Sequence, residues 1–205
     1  MKFRINKHSY FLIALIFTIV SCESDYSKLV KREFATGVKN DSLFFGMKFN
    51  DSKKDFFDIC QELNEKQVVT HGPQNNFVKY IMNSDEDDDS SIQMLFYGIF
   101  DKDGMKVFDR DKKMTGLNMR FSYSAWAPWN KKLYADKLIP ILKDTLRKWF
   151  PGNDFIKVNI KELNKKTYIK IDGNRQIKMY VLDDERVAVK IENLDEKSTY
   201  NDLAK

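Results

Sequence analysis

Cysteine and histidine are scarce, with two of each in 205 residues. Two cysteines cannot build a multi-disulfide scaffold, and two histidines leave little for a His-based metal centre or a catalytic base. No stretch carries a recognisable nucleophile, phosphate-loop or EF-hand spacing, and no residue-level repeat is present. The longest uncharged apolar run, residues 10–20 (YFLIALIFTIV), is too short to cross a hydrocarbon core of about 30 Å, which takes roughly 20 helical residues. What is present is an ordinary globular composition, 42% hydrophobic, 32% charged and 14% aromatic. That much apolar surface excludes disorder for most of the chain and is enough for one domain or two small ones.

Lys2, Arg4 and Lys7 precede the apolar run, and Ile19, Val20, Ser21 and Cys22 follow or close it. A basic leader, a short apolar segment and a small residue before a cysteine form a secretory signal. Ile19-Val20-Ser21-Cys22 resembles the lipobox of bacterial lipoproteins, with Ile where Leu is usual. The resemblance implies cleavage after Ser21 and acylation of Cys22, and the runs FGMKF, THGP, WAPWN and DGNR are similar to those of Bacteroidota lipoproteins. Residue 23 is Glu rather than Asp, which under the same resemblance favours the outer membrane. Several acyl chains on one residue anchor firmly, since each buried CH₂ contributes about 0.8 kcal/mol. Loss of residues 1–21 removes Lys2, Arg4 and Lys7 and lowers the formal charge from +5 to +2. No global argument for nucleic-acid binding survives that change.

The reading of the mature chain is a lipidated tether over 22–42, polar and without sustained period, followed by two units at 43–129 and 130–205. Ser52 and Asp55 resemble a capping box, and Phe56, Ile59, Cys60 and Leu63 share one stripe, predicting a helix over 52–66 with Cys60 as a buried filler. Strands are expected at 77–82, 92–100, 105–108 and 115–124. A second helix runs from an Asn130 cap, with Tyr134, Leu138, Ile141, Leu142, Thr145 and Trp149 on one side and Pro140 on the solvent side. Four strands at 155–161, 166–172, 176–182 and 186–192 complete the chain. The fold class is therefore α+β: two units, each a helix on a four-stranded antiparallel sheet, packed together. That plan resembles the tandem architecture of the β-lactamase inhibitor protein family and of small outer-membrane assembly lipoproteins, with Gly46, Met47 and Ser52 matching their helix-entry turn.

Pairing Ile156 with Ile171, Val158 with Ile169, Ile171 with Ile177 and Met179 with Val189 keeps the apolar residues of the last four strands together. That register sets Lys157, Lys170, Lys178 and Lys190 abreast on the other face, with Tyr168 and Tyr180 in the next row. A lysine row of this kind either keeps a solvated sheet soluble or binds an anionic partner: an acidic protein surface, a phosphorylated lipid or an acidic glycan. Trp126 and Trp129 either staple the second helix or offer indoles to a sugar. The acidic run Asp85, Glu86, Asp87, Asp88 and Asp89 reads as a solvated hairpin tip and His71 as a turn residue.

The expected function is a lipid-anchored envelope protein, non-catalytic, without cofactor or metal, that acts as a binding or assembly module. Glycan or small-ligand capture through Trp126 and Trp129 is the alternative. Protein purified from its native cells should begin at an acylated Cys22 by mass spectrometry. An intact methionine start, or an unmodified thiol at 22, would refute the anchor.

Overall fold

The computed structural model describes residues 24–73, 77–82, 90–101, 110–160 and 165–195. Among the described residues there are three α-helices, two of them begun by a side-chain cap. In α1, Asp25–Ala35, the Ser24 hydroxyl accepts from the Ser27 amide at 3.1 Å. In α2, Lys53–Glu65, the Ser52 hydroxyl accepts from Asp55 N and the Asp55 carboxylate accepts from Ser52 N at 2.8 Å, so the capping box is formed. α3, Ala135–Trp149, starts later than the sequence predicts. Asn130 makes no side-chain cap; a single 3₁₀ turn, Lys131–Leu133, intervenes, and Ala135 N instead donates to Asp184 O at 2.8 Å. Leu138, Ile139, Leu142 and Leu146 are buried, whereas Ile141, expected inside, is exposed. Pro140 lies on the solvent side as predicted, where its missing N–H leaves no buried group unpaired.

The described residues hold eight strands: β1 Thr70–His71, β2 Val78–Met82, β3 Ile92–Phe100, β4 Met114–Tyr123, β5 Ile156–Ile160, β6 Lys165–Asp172, β7 Arg175–Val181 and β8 Val187–Asn193. They form one antiparallel sheet in the order β1-β2-β3-β4-β8-β7-β6-β5. The α+β class holds, but two separate four-stranded sheets do not. β4 and β8 pair from Gly116↔Glu192 to Phe121↔Val187 and fuse the halves. Gly116 permits this seam, because a Cβ there would lie 2.3 Å from the Ile191 carbonyl oxygen. The expected strand at 105–108 lies outside the described residues.

Alternation assigns the faces. Met94 and Phe96 of β3, Leu117, Met119 and Phe121 of β4, Val187, Val189 and Ile191 of β8 and Ile177 and Met179 of β7 point to one side. There they form the main core with α2 and α3. A second, smaller core lies on the opposite side, where Leu29 and Val30 of α1 cover Ile169 and Ile171 of β6, flanked by Ile156 and Val158. The segment expected to be a polar tether thus contains a packed helix. Tyr26, Leu29, Val30, Glu33 and Phe34 recur at helical spacing, and that stripe was in the sequence. Replacing Val30, which is fully buried, by Asp should therefore lower stability by about 3 kcal/mol. It should also raise binding of an apolar dye, measured by thermal denaturation and fluorescence; unchanged melting would show that α1 does not hold the sheet.

Candidate functional site

The lysine row does not form, and one hairpin explains why. The turn between β6 and β7 has two central residues, Gly173 and Asn174, so that Asp172 pairs with Arg175 and Lys170 with Ile177. The expected register has three. Gly173 sits at φ +57° in the first central position, the requirement of a type II′ turn. One residue of slip moves β6 to the opposite parity, and β5, paired Ile156↔Ile169, goes with it. Lys157, Lys170 and Tyr168 consequently face the α3 side, and Lys178, Lys190 and Tyr180 face the other. The expected pairings Met179↔Val189 and Ile177↔Ile191 are present.

Lys170 is not a surface lysine at all: it is fully buried. Its Nζ donates to the Asn153 carbonyl at 2.6 Å and to Asp172 Oδ1 at 3.0 Å, and lies 2.8 Å from Oδ2. Asp172 also accepts from Asn153 N at 2.7 Å and faces Arg175 at 3.7 Å. Arg175 donates to the Ser42 carbonyl at 3.1 Å and stacks 4.8 Å from the Phe150 ring centroid. Gly173 N donates to Glu33 of α1 at 3.2 Å. The cluster is sealed, so its role is to hold the chain together.

The face left open lies beside α1. No helix crosses β2, β3, β4, β8 or β7 there among the described residues. Lys79, Arg120, Lys178 and Lys190 project from it against a single carboxylate on these strands, Glu192. Lys178 and Lys190 are directly opposed, an arrangement that repels. Glu192 relieves it, binding Lys178 at 3.1 Å through Oε2 and Lys190 through Oε1. Burial pushes the Glu192 carboxyl up, but these two ammonium groups outweigh it and hold the group below its ordinary range. At the β2 end the Arg120 guanidinium lies 4.9 Å from the Phe77 ring centroid, and Phe77 meets Tyr97 edge-on at 5.0 Å. Asn118, Gln93 and Leu95 fill the space between. The residues that sequence reasoning missed here, Lys79, Arg120, Tyr97 and Phe77, come from the N-terminal half. They join Lys178 and Lys190 only because β4 pairs with β8.

The remaining candidates separate in the same way. Trp129 is 85% exposed, so it does not staple α3, whereas Trp126 packs against the main core and 6.4 Å from the Tyr134 ring. The two indoles therefore do not present a shared platform. Cys60, Asn64 and His71 line one cavity of about 340 Å³ beneath α2. Asn64 donates to the Val69 carbonyl at 3.0 Å, and burial pushes the Cys60 thiol up to about 12, opposite to an activated nucleophile. Cys60 is thus the buried filler the sequence predicts. His71 is exposed on β1. Among the described residues no three His, Cys, Asp or Glu side chains gather as metal ligands; the acidic run 85–89 lies outside them.

Two outcomes follow for stability. Lys170→Gln should lower stability by about 3 kcal/mol, some 6–12 °C in melting temperature, because Asp172 loses its closest countercharge in a buried site. A small change would mean that water or Arg175 compensates. Glu192 is ionised more readily in the fold than in the unfolded chain. Its contribution is therefore complete above its ordinary value of 4.5 and fades as pH falls through the lower folded value. Glu192→Gln should flatten the acid limb of the stability–pH profile measured by denaturant titration, and an unaltered limb would place the titration elsewhere. Comparison with family models, curated proteins and solved structures finds no match, so the open basic face stands on its geometry alone.

Proposed function

We propose that the protein is a lipid-anchored, non-catalytic binding module of the cell envelope, held at the outer membrane, that engages an acidic protein partner through the open face of its sheet. The observation that carries this reading is the four basic side chains on that face, set against one carboxylate and interleaved with Tyr97, Phe77 and Tyr180. Charge of one sign steers a partner of the other, and aromatic groups beside it supply area that is apolar yet tolerant of water. Glu192 keeps Lys178 and Lys190 in place in the free protein, so the face is ordered before a partner arrives.

Anchoring is supported by Ile19-Val20-Ser21-Cys22 and the basic leader. No described helix is long and apolar enough to cross a membrane. The helix cap at Ser24 comes two residues after Cys22, so the acyl chains would hold the body close to the lipid surface.

The test is site-specific photo-crosslinking in envelopes of the native cells, with the probe at Asn118 on the open face or at Lys148 on the exposed side of α3. The Asn118 probe should capture one protein rich in Asp and Glu. Capture should be lost on Arg120→Glu with Lys190→Glu and fall as ionic strength rises. Equal capture from both positions, or capture indifferent to charge reversal, would overturn the proposal.

A further inference from the structure

On the helix-covered side, α3 stops short of the sheet edge. The groove between α3 and β6 holds a cavity of about 570 Å³ with Ile139, Pro140, Tyr168, Val181 and Leu182 as its apolar lining. At its α3 end the Lys143 ammonium lies 3.8 Å from the Tyr168 ring centroid. Lys157 is the direct cross-strand partner of Tyr168, so two lysines flank one phenol ring. Neither lysine has a carboxylate partner among the described residues. The nearby Arg147 is already satisfied by Asp144 at 3.1 Å and Asp154 at 3.0 Å.

We propose that this groove binds an anionic amphiphile, its phosphate or carboxylate head between Lys143 and Lys157 over Tyr168 and its aliphatic chain along Pro140, Val181 and Leu182. Two lysines set near one ring, neither bonded to a carboxylate among the described residues, repel each other, and a bound acid relieves that repulsion. Burial, and then the Arg147 and Lys157 cations, push the Lys143 ammonium below its ordinary range, with Asp144 opposing them. A largely apolar cavity whose Tyr168 wall carries the Lys143 ammonium on its ring fits a molecule with both kinds of surface, rather than a free ion. The charged residues lining the cavity are Asp136, Asp183 and Asp184 with Lys165 and Lys166; Asp136 pairs with Lys137 at 2.8 Å and Asp183 with Arg186. An acid head meets Lys143 and Lys157 at the Tyr168 ring. The groove lies on the opposite side of the sheet from the basic face and does not depend on the acidic-partner reading.

The probes are decyl phosphate, decanoate, decyl maltoside and inorganic phosphate. Each is titrated by calorimetry, below its micellar concentration, into the chain beginning at residue 22 with Cys22→Ser, which keeps every described element of the fold. The two charged amphiphiles should bind one to one. Decyl maltoside and inorganic phosphate should bind at least tenfold more weakly, each lacking one half of the recognition. Lys143→Gln and Lys157→Gln should each weaken decyl phosphate about tenfold while melting temperature stays the same or rises, since a repulsion is removed. Leu182→Asn should weaken the decyl compounds without changing inorganic phosphate. Inorganic phosphate binding as tightly as decyl phosphate would overturn the amphiphile. So would decyl maltoside matching decyl phosphate, lysine variants that bind normally, or no binding by any probe.

Discussion

The ion pair between Lys170 and Asp172 is the constraint on which the architecture turns. Lys170 and Asp172 stand two residues apart on β6 and share a face in any register, so a fold that buries the lysine buries its countercharge with it. The observed register turns that face inward, brings Asp172 opposite Arg175 and makes the turn a two-residue one. The same carboxylate accepts from the chain leaving α3, and its own backbone carbonyl accepts from Asn40 at 2.9 Å. Gly152 must lack a side chain, because a Cβ there would meet Asp172 Oδ1 at 2.2 Å. Four separate pieces of chain meet at one buried charge.

Register decides which side of a sheet is available, and here it produces two kinds of surface. On β7 and β8 the outward residues are charged, and no helix covers them. On β5 and β6 the outward residues of the same face are aliphatic, and α1 covers them. The opposite side shows the converse, apolar under α2 and α3 and cationic at the β5–β6 margin. Each face thus changes character between β7 and β6, where Lys170 sits.

Much of this was legible in the sequence. The α2 helix with its capping box, the alternation of β4 and the register of β7 on β8 follow from local patterns that the fold respects. The β6–β7 hairpin departs from the sequence expectation because alternation alone lets Ile169 and Ile171 join the same core as Ile177 and Met179, whereas two cores on opposite faces satisfy the alternation equally well. The missing information was the partner for the second core. It lies in Tyr26, Leu29, Val30 and Phe34, whose helical spacing is diluted by Lys28, Lys31, Arg32 and Glu33 in a segment of polar appearance. Of the proposed ligand residues, Lys178, Lys190 and Tyr180 share the open face, Lys157 and Tyr168 share the groove, and Lys170 belongs to neither. Trp126 and Trp129 part because one indole packs on the core while its neighbour in the loop does not. The junction of β4 with β8 spans some 70 residues of intervening chain, and no local pattern encodes such a pairing.

The contact between Glu33 and Gly173 joins residues 140 positions apart, and the whole second core shares that separation. Of the described elements, the first helix to be synthesised therefore has its docking site among the last strands to be made. Until β5 and β6 emerge, Leu29 and Val30 have nothing to cover, and until α1 returns, Ile169 and Ile171 stand bare. Closing so large a loop carries an entropic cost before any contact rewards it, which makes this a late and slow event in folding. During that interval both apolar patches are open to mispairing between chains, and a factor that shields nascent chains would act most usefully there.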